Sequence, residues 1–134
     1  MKKFEYRNFP SFEQTYILQC GTFHFYKDFI ISQVNEGEYI TLERARELID
    51  LAMGHYGKNT NLSLISNRQN TYDIKHDDWA KFYNKGFQLK ALAIVTHNKT
   101  DIADLMGAEK RNFRHEINNF YSLESAINWV QSLD

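Results

Sequence analysis

This chain has a single cysteine, Cys20, which excludes an internal disulfide and fits a reducing compartment. The one proline, Pro10, falls near the N-terminus, and no internal repeat or low-complexity stretch occurs. Charge of either sign is barely in excess: the formal net charge is -1, so no overall field draws in nucleic acid or an anionic membrane. No uncharged apolar run approaches the ~20 residues of a membrane span. The start, Met1-Lys2-Lys3-Phe4-Glu5-Tyr6-Arg7-Asn8, lacks the apolar core of a signal peptide. Also missing are a Gly-x-Ser-x-Gly elbow, a Walker loop and a Gly-x-Gly-x-x-Gly turn. The expectation is one cytoplasmic domain over residues 1–134, with residues 1–12 as an arm. It binds neither nucleic acid nor membrane.

Aromatic residues are plentiful. Ten Phe and eight Tyr contribute to a 15% aromatic content, more than enough to build a core. Phe4, Tyr6, Phe9 and Phe12 give the arm apolar anchors for the body or for a second subunit. Gln14 to Cys20, Gly21 to Tyr26 and Phe29 to Val34 are strand candidates. A hairpin turn at Tyr26-Lys27-Asp28-Phe29 makes them an antiparallel meander. Thr41 is placed to cap a helix whose inner face carries Leu42, Ala45, Leu48, Ile49, Ala52, Met53 and Tyr56. Asn61 to Ser66 reads as a buried strand, followed by the polar segment Asn67 to Asp73. A short helix with Trp79, Phe82 and Tyr83 follows. Then come an apolar strand, Leu89 to Val95, and a helix over about 100–111. A strand from Glu116 to Phe120 and a helix from Leu123 to Leu133 opened by Ser122 complete the chain. This is an α/β pattern bordering on α+β: antiparallel strands, then β-α-β-α-β-α-β-α in a mostly parallel sheet.

That order of elements, with Leu92-Ala93-Ile94-Val95 and the closing run Phe120 to Val130 containing Ala126 and Trp129, resembles the SpoIIAA-like (STAS) family. The name stands for sulfate transporter and anti-sigma-factor antagonist. The resemblance lies with the branch of small uncharacterised bacterial proteins, and spans roughly residues 14–133. It implies helices gathered mainly on one face of the sheet. It also implies a non-catalytic regulatory module that acts by binding a protein partner, and a homodimer. In the anti-sigma antagonists the phosphoryl acceptor sits in an Asp-Ser-Ser-Gly-like turn. Ser66 falls near that place, but the aspartate and glycine are absent.

The segment after the presumed central strand is the leading candidate site, because open α/β sheets bind ligands beyond the carboxyl ends of their strands. Arg68 offers a fork of donors for a carboxylate or phosphate. Asn67 and Asn70 can orient polar groups, and Tyr72 can supply a stacking face. The plainer alternative is a solvated loop with self-bonded Asn turns. Trp79, Phe82, Tyr83 and Phe87 can line a pocket or an interface, or simply form the inner face of a short helix. His24, His55, His76, His97 and His115 show no metal-ligand spacing. His76-Asp77-Asp78 is explained by helix capping, and Cys20 by its behaviour as a small hydrophobe. The basic run Lys110 to His115 suits a helix C-terminus better than a phosphate contact. No catalytic set, metal or cofactor is therefore expected. The second functional reading is a small apolar or amphipathic ligand held in a pocket under residues 67–88.

Overall fold

A computed structural model describes residues 4–57, 62–78, 81, 89–97 and 116–133. In chain order its elements are β1 (Phe12–Leu18), β2 (Gly21–Tyr26), β3 (Phe29–Val34), β4 (Tyr39–Ile40), α1 (Arg46–Tyr56), β5 (Ser63–Arg68), β6 (Asp73–Ile74), β7 (Ala91–Thr96), β8 (Glu116–Phe120) and α2 (Leu123–Ser132). Six strands form one sheet in the order β1-β2-β3-β5-β7-β8. The pairs β1·β2 and β2·β3 are antiparallel, as the hairpin turn at 26–29 requires, and every later pair is parallel.

Burial follows position in the sheet. β7 lies between β5 and β8 and is buried at every residue, which accounts for its unbroken apolar run. β1, on an edge, has no fully buried residue and mixes half-buried with exposed positions. The close approach of β2 to β3 depends on Gly21. A Cβ there would lie 2.4 Å from the Gln33 carbonyl oxygen and 2.9 Å from the Val34 Cα.

Two layers of core follow from the two-residue period of the strands. On one face Phe23, Phe25, Ile30, Leu62, Leu92 and Ile94 meet Leu48, Ile49, Ala52, Met53 and Tyr56 of α1. On the other, Phe29, Ile31, Ile65, Ala93 and Val95 meet Leu123, Ala126, Ile127 and Val130 of α2. The two described helices thus cover opposite faces of the sheet. The physical reason is visible in the central strands. Ile30 and Ile31, Leu64 and Ile65, and Ile94 and Val95 are apolar on both sides, so both sides need cover.

The N-terminal arm packs on the body. Phe4, Tyr6, Phe9 and Phe12 lie against the α2 face, around a 3-10 turn at Tyr6–Asn8. Ser122 caps α2 as expected, its Oγ accepting from the Ser125 N–H at 3.2 Å. α1 begins later than Thr41. The Thr41 hydroxyl accepts from the Arg44 N–H at 3.1 Å, but residues 42–45 make turns before regular helix starts at Arg46.

The polar segment Asn67 to Asp73 is shorter as a loop than its composition suggests. Asn67 and Arg68 complete β5, and Asp73 begins β6, which pairs parallel with β4. Tyr39↔Asp73 and Ile40↔Ile74 are the register partners. Gly37 N–H to Thr71 O (2.8 Å), Asp73 N–H to Glu38 O (2.9 Å) and Lys75 N–H to Ile40 O (2.8 Å) complete this strap. Gly37 takes a φ of +80°, a conformation that glycine adopts at little cost. The helices expected around Trp79 and over 100–111 lie outside the described residues, as does the basic run Lys110 to His115.

Candidate functional site: an apolar cavity with a polar end

Between the α1 face of the sheet and α1 itself lies a cavity of about 150 Å³. Its floor comes from Phe23, Ile30, Leu64 and Leu92 on the sheet. Leu48, Ile49 and Ala52 of α1 form one wall, and Ile40 and Ile74 of the strap form another. The strap is latched to the chain entering α1. Asp78 Oδ2 accepts from the Leu42 N–H at 2.6 Å, while Asp78 Oδ1 lies 3.5 Å from Lys81 Nζ and 4.0 Å from Lys75 Nζ. The Leu42 N–H bond most strongly, and the two lysines with it, hold the Asp78 carboxyl below the usual range against the opposing effect of burial. Asp78 therefore holds the chain that approaches α1.

One end of the cavity is polar. Ser32 of β3 and Ser66 of β5 are register partners on neighbouring strands and both line it. Ser66 Oγ lies 2.9 Å from the Tyr72 hydroxyl, a buried hydrogen bond. Arg68, two residues along β5 and therefore on the same face, also lines the cavity. Its guanidinium carbon is 4.7 Å from the centroid of the Tyr72 ring. Cys20 closes another part of the wall. It is 4% exposed, and burial raises its thiol pKa above the ordinary value.

Alternation along β5 separates the expected site residues. Asn67, only 1% exposed, faces the arm. Its Nδ2 donates to the Tyr6 hydroxyl at 3.3 Å, and its Oδ1 lies 2.9 Å from His97 Nε2. That network continues through Gln33, whose Nε2 donates to the Tyr6 hydroxyl at 2.8 Å, to His24. His24 stacks on Tyr6 with centroids 3.9 Å apart, and its Nδ1 lies 2.9 Å from Thr15 Oγ1. Burial lowers the His24 pKa and raises that of Tyr6.

Of the residues singled out from sequence, Ser66, Arg68 and Tyr72 come together at the cavity, and Asn67 does not. Asn70 is exposed and holds the loop by donating to the Val34 carbonyl at 3.0 Å. Trp79 and Tyr83 lie outside the described residues. Ser66 sits inside β5 at 4% exposure rather than in an open turn, so a phosphoryl acceptor role requires it to leave that position.

Ser32, Asp78 and the cavity wall of α1 were not foreseen as site components. The signal for Ser32 was present: Ile30-x-Ser32 and Leu64-x-Ser66 each pass from an apolar residue to a hydroxyl at the two-residue period of a strand. Among the described residues, no group of three or more His, Cys, Asp or Glu is placed to hold a metal ion, and no helix is long and apolar enough to cross a membrane. Comparison with protein-family models, curated proteins and solved structures finds no match to this chain.

Proposed function

We propose that this protein is a binding module for a small apolar or amphipathic molecule, held between α1 and the sheet. The observation that supports this reading is the cavity itself: about 150 Å³, walled by aliphatic and aromatic side chains, with hydroxyl groups at one end. A dry apolar cavity of about this size accommodates benzene, which sets the scale of the occupant. The strap of β4 and β6 contributes Ile40 and Ile74 to the wall of the site. Binding through apolar burial needs no catalytic group, which agrees with the absence of a nucleophile or acid/base set from the sequence motifs.

A STAS-type regulatory module that binds a protein partner is the second reading, carried by the closing strand-and-helix pattern. Ser66, Asn67 and Tyr72 are buried, so a partner would meet the exposed tip at Gln69, Asn70 and Thr71 instead.

Two measurements test the proposal. Native mass spectrometry of the purified protein reveals any retained ligand, and titration with 1-hexanol followed by NMR reports entry into the cavity. Ala52→Leu adds three carbon groups to the wall, each worth up to ~0.8 kcal/mol if it fills space without strain. The variant is expected to melt higher and to lose hexanol binding. Equal hexanol binding by both proteins, or none by wild type, overturns the reading.

A further inference from the structure

We infer that the cavity is built for a small apolar molecule with a carbonyl oxygen (a ketone, aldehyde or ester), that oxygen held between the Ser32 and Ser66 hydroxyls. This rests on the ligand-binding reading above and deepens it by naming the polar group of the occupant. Ser32 is the decisive residue. It is 5% exposed and lines the cavity from β3, inside the sheet. Its hydroxyl has no hydrogen-bond partner among the described residues. Buried hydroxyls are ordinarily paired, so one that faces a cavity without a partner points to an occupant that supplies it. A bare hydrocarbon would leave it unpaired.

The geometry supplies a second donor. Ser32 and Ser66 are register partners on parallel neighbouring strands, so their side chains leave the same face about 4.8 Å apart. Ser66 Oγ lies 2.9 Å from the Tyr72 hydroxyl. A phenol is the better donor of the two, so Tyr72 gives its proton to Ser66 and the Ser66 proton stays available. Two O–H donors at that spacing can both reach one oxygen at the ~2.7–2.8 Å of an O–H···O bond. A carbonyl oxygen has two lone pairs to receive them and brings no proton of its own.

The same register places the rest of the ligand. Two residues earlier on each strand, Ile30 pairs with Leu64, and Leu64 pairs in turn with Leu92 of β7. All three line the cavity. The carbon skeleton therefore rests on Ile30, Leu64 and Leu92, and the oxygen lies towards the carboxyl ends of β3 and β5, where open α/β sheets hold their ligands.

The test uses two ligands of one shape, cyclohexanone and methylenecyclohexane, in which a CH2 group replaces the oxygen. Each is titrated into the whole protein and followed by NMR. Ser32→Ala removes one donor and should weaken cyclohexanone about 3–10-fold, the worth of one neutral hydrogen bond. Methylenecyclohexane should bind that variant as tightly as wild type, or more tightly. Wild-type protein supplies an independent check if the variant does not fold: the infrared carbonyl stretch of bound cyclohexanone should lie at or below its position in water, as two hydrogen bonds require. A carbonyl stretch at its position in hexane, binding of methylenecyclohexane alone, or an equal response of both ligands to Ser32→Ala overturns the carbonyl assignment and leaves the cavity reading standing. Binding of neither ligand by wild type overturns both.

Discussion

The buried Ser66–Tyr72 hydrogen bond offers a sharp test of the polar end of the cavity. Both hydroxyls are shielded, with Ser66 at 4% and Tyr72 at 8% exposure, and they lie 2.9 Å apart. Tyr72→Phe removes one oxygen and with it the partner that the buried Ser66 hydroxyl has at 2.9 Å. Ser66→Ala does the reverse. An unsatisfied buried hydroxyl costs about 1–3 kcal/mol, so each single variant should lose roughly 1–2 kcal/mol. The double variant removes both polar atoms and keeps nearly the same shape, and should lose only about 0–1 kcal/mol. The cycle therefore predicts a coupling of at least ~1 kcal/mol, large against the ~5–15 kcal/mol stability usual for a domain. Urea unfolding with an unchanged slope measures it. Additivity within ~0.5 kcal/mol would show that each hydroxyl has other partners or meets water, and the buried-pair argument would fail.

Three further outcomes follow from other parts of the structure. His24 is held neutral by burial, so its folded pKa lies below the unfolded value of about 6.5. Its contribution is complete above that value and is lost as pH falls towards the folded pKa, because the unfolded chain takes the proton first. His24→Gln should flatten the fall in melting temperature between about pH 7 and 5; an unchanged slope assigns it to other groups. Gly21→Ala drives a Cβ against Gln33 and Val34 backbone and should cost ~1–3 kcal/mol in urea unfolding, whereas a neutral result contradicts that close approach. Asp78→Ala removes the charged acceptor of the Leu42 N–H and should cost ~1.5–3 kcal/mol. Hydrogen exchange at Leu42 should speed up in that variant, and unchanged protection means that Asp78 does not latch the strap.

The elements that could be read from sequence are those whose signals are local. β2 and β3 have the expected bounds, because a turn-forming tetrad separates two apolar runs. β8 and the Ser122 cap of α2 were equally clear, since a capping hydroxyl acts within its own first turn. The strap was not legible. β4 and β6 are two residues each and hold together through partners more than thirty positions apart, so neither shows any periodicity of its own. For the same reason Asn67 and Arg68 read as loop, although their backbone completes a strand whose neighbours are distant in sequence.

Sequence by itself determined a mixed α/β chain with an antiparallel start and parallel continuation, and it singled out Ser66, Arg68 and Tyr72. Tertiary structure decided which of the neighbouring polar residues share a site. Strand alternation sends Ser66 and Arg68 to the α1 face and Asn67 to the arm face, and Tyr72 returns over the same end through the turn at 69–72. It also decided that a cavity exists at all. That space is the residue of how α1 and the strap settle on the sheet, a sum of long-range contacts that no local pattern of residues encodes.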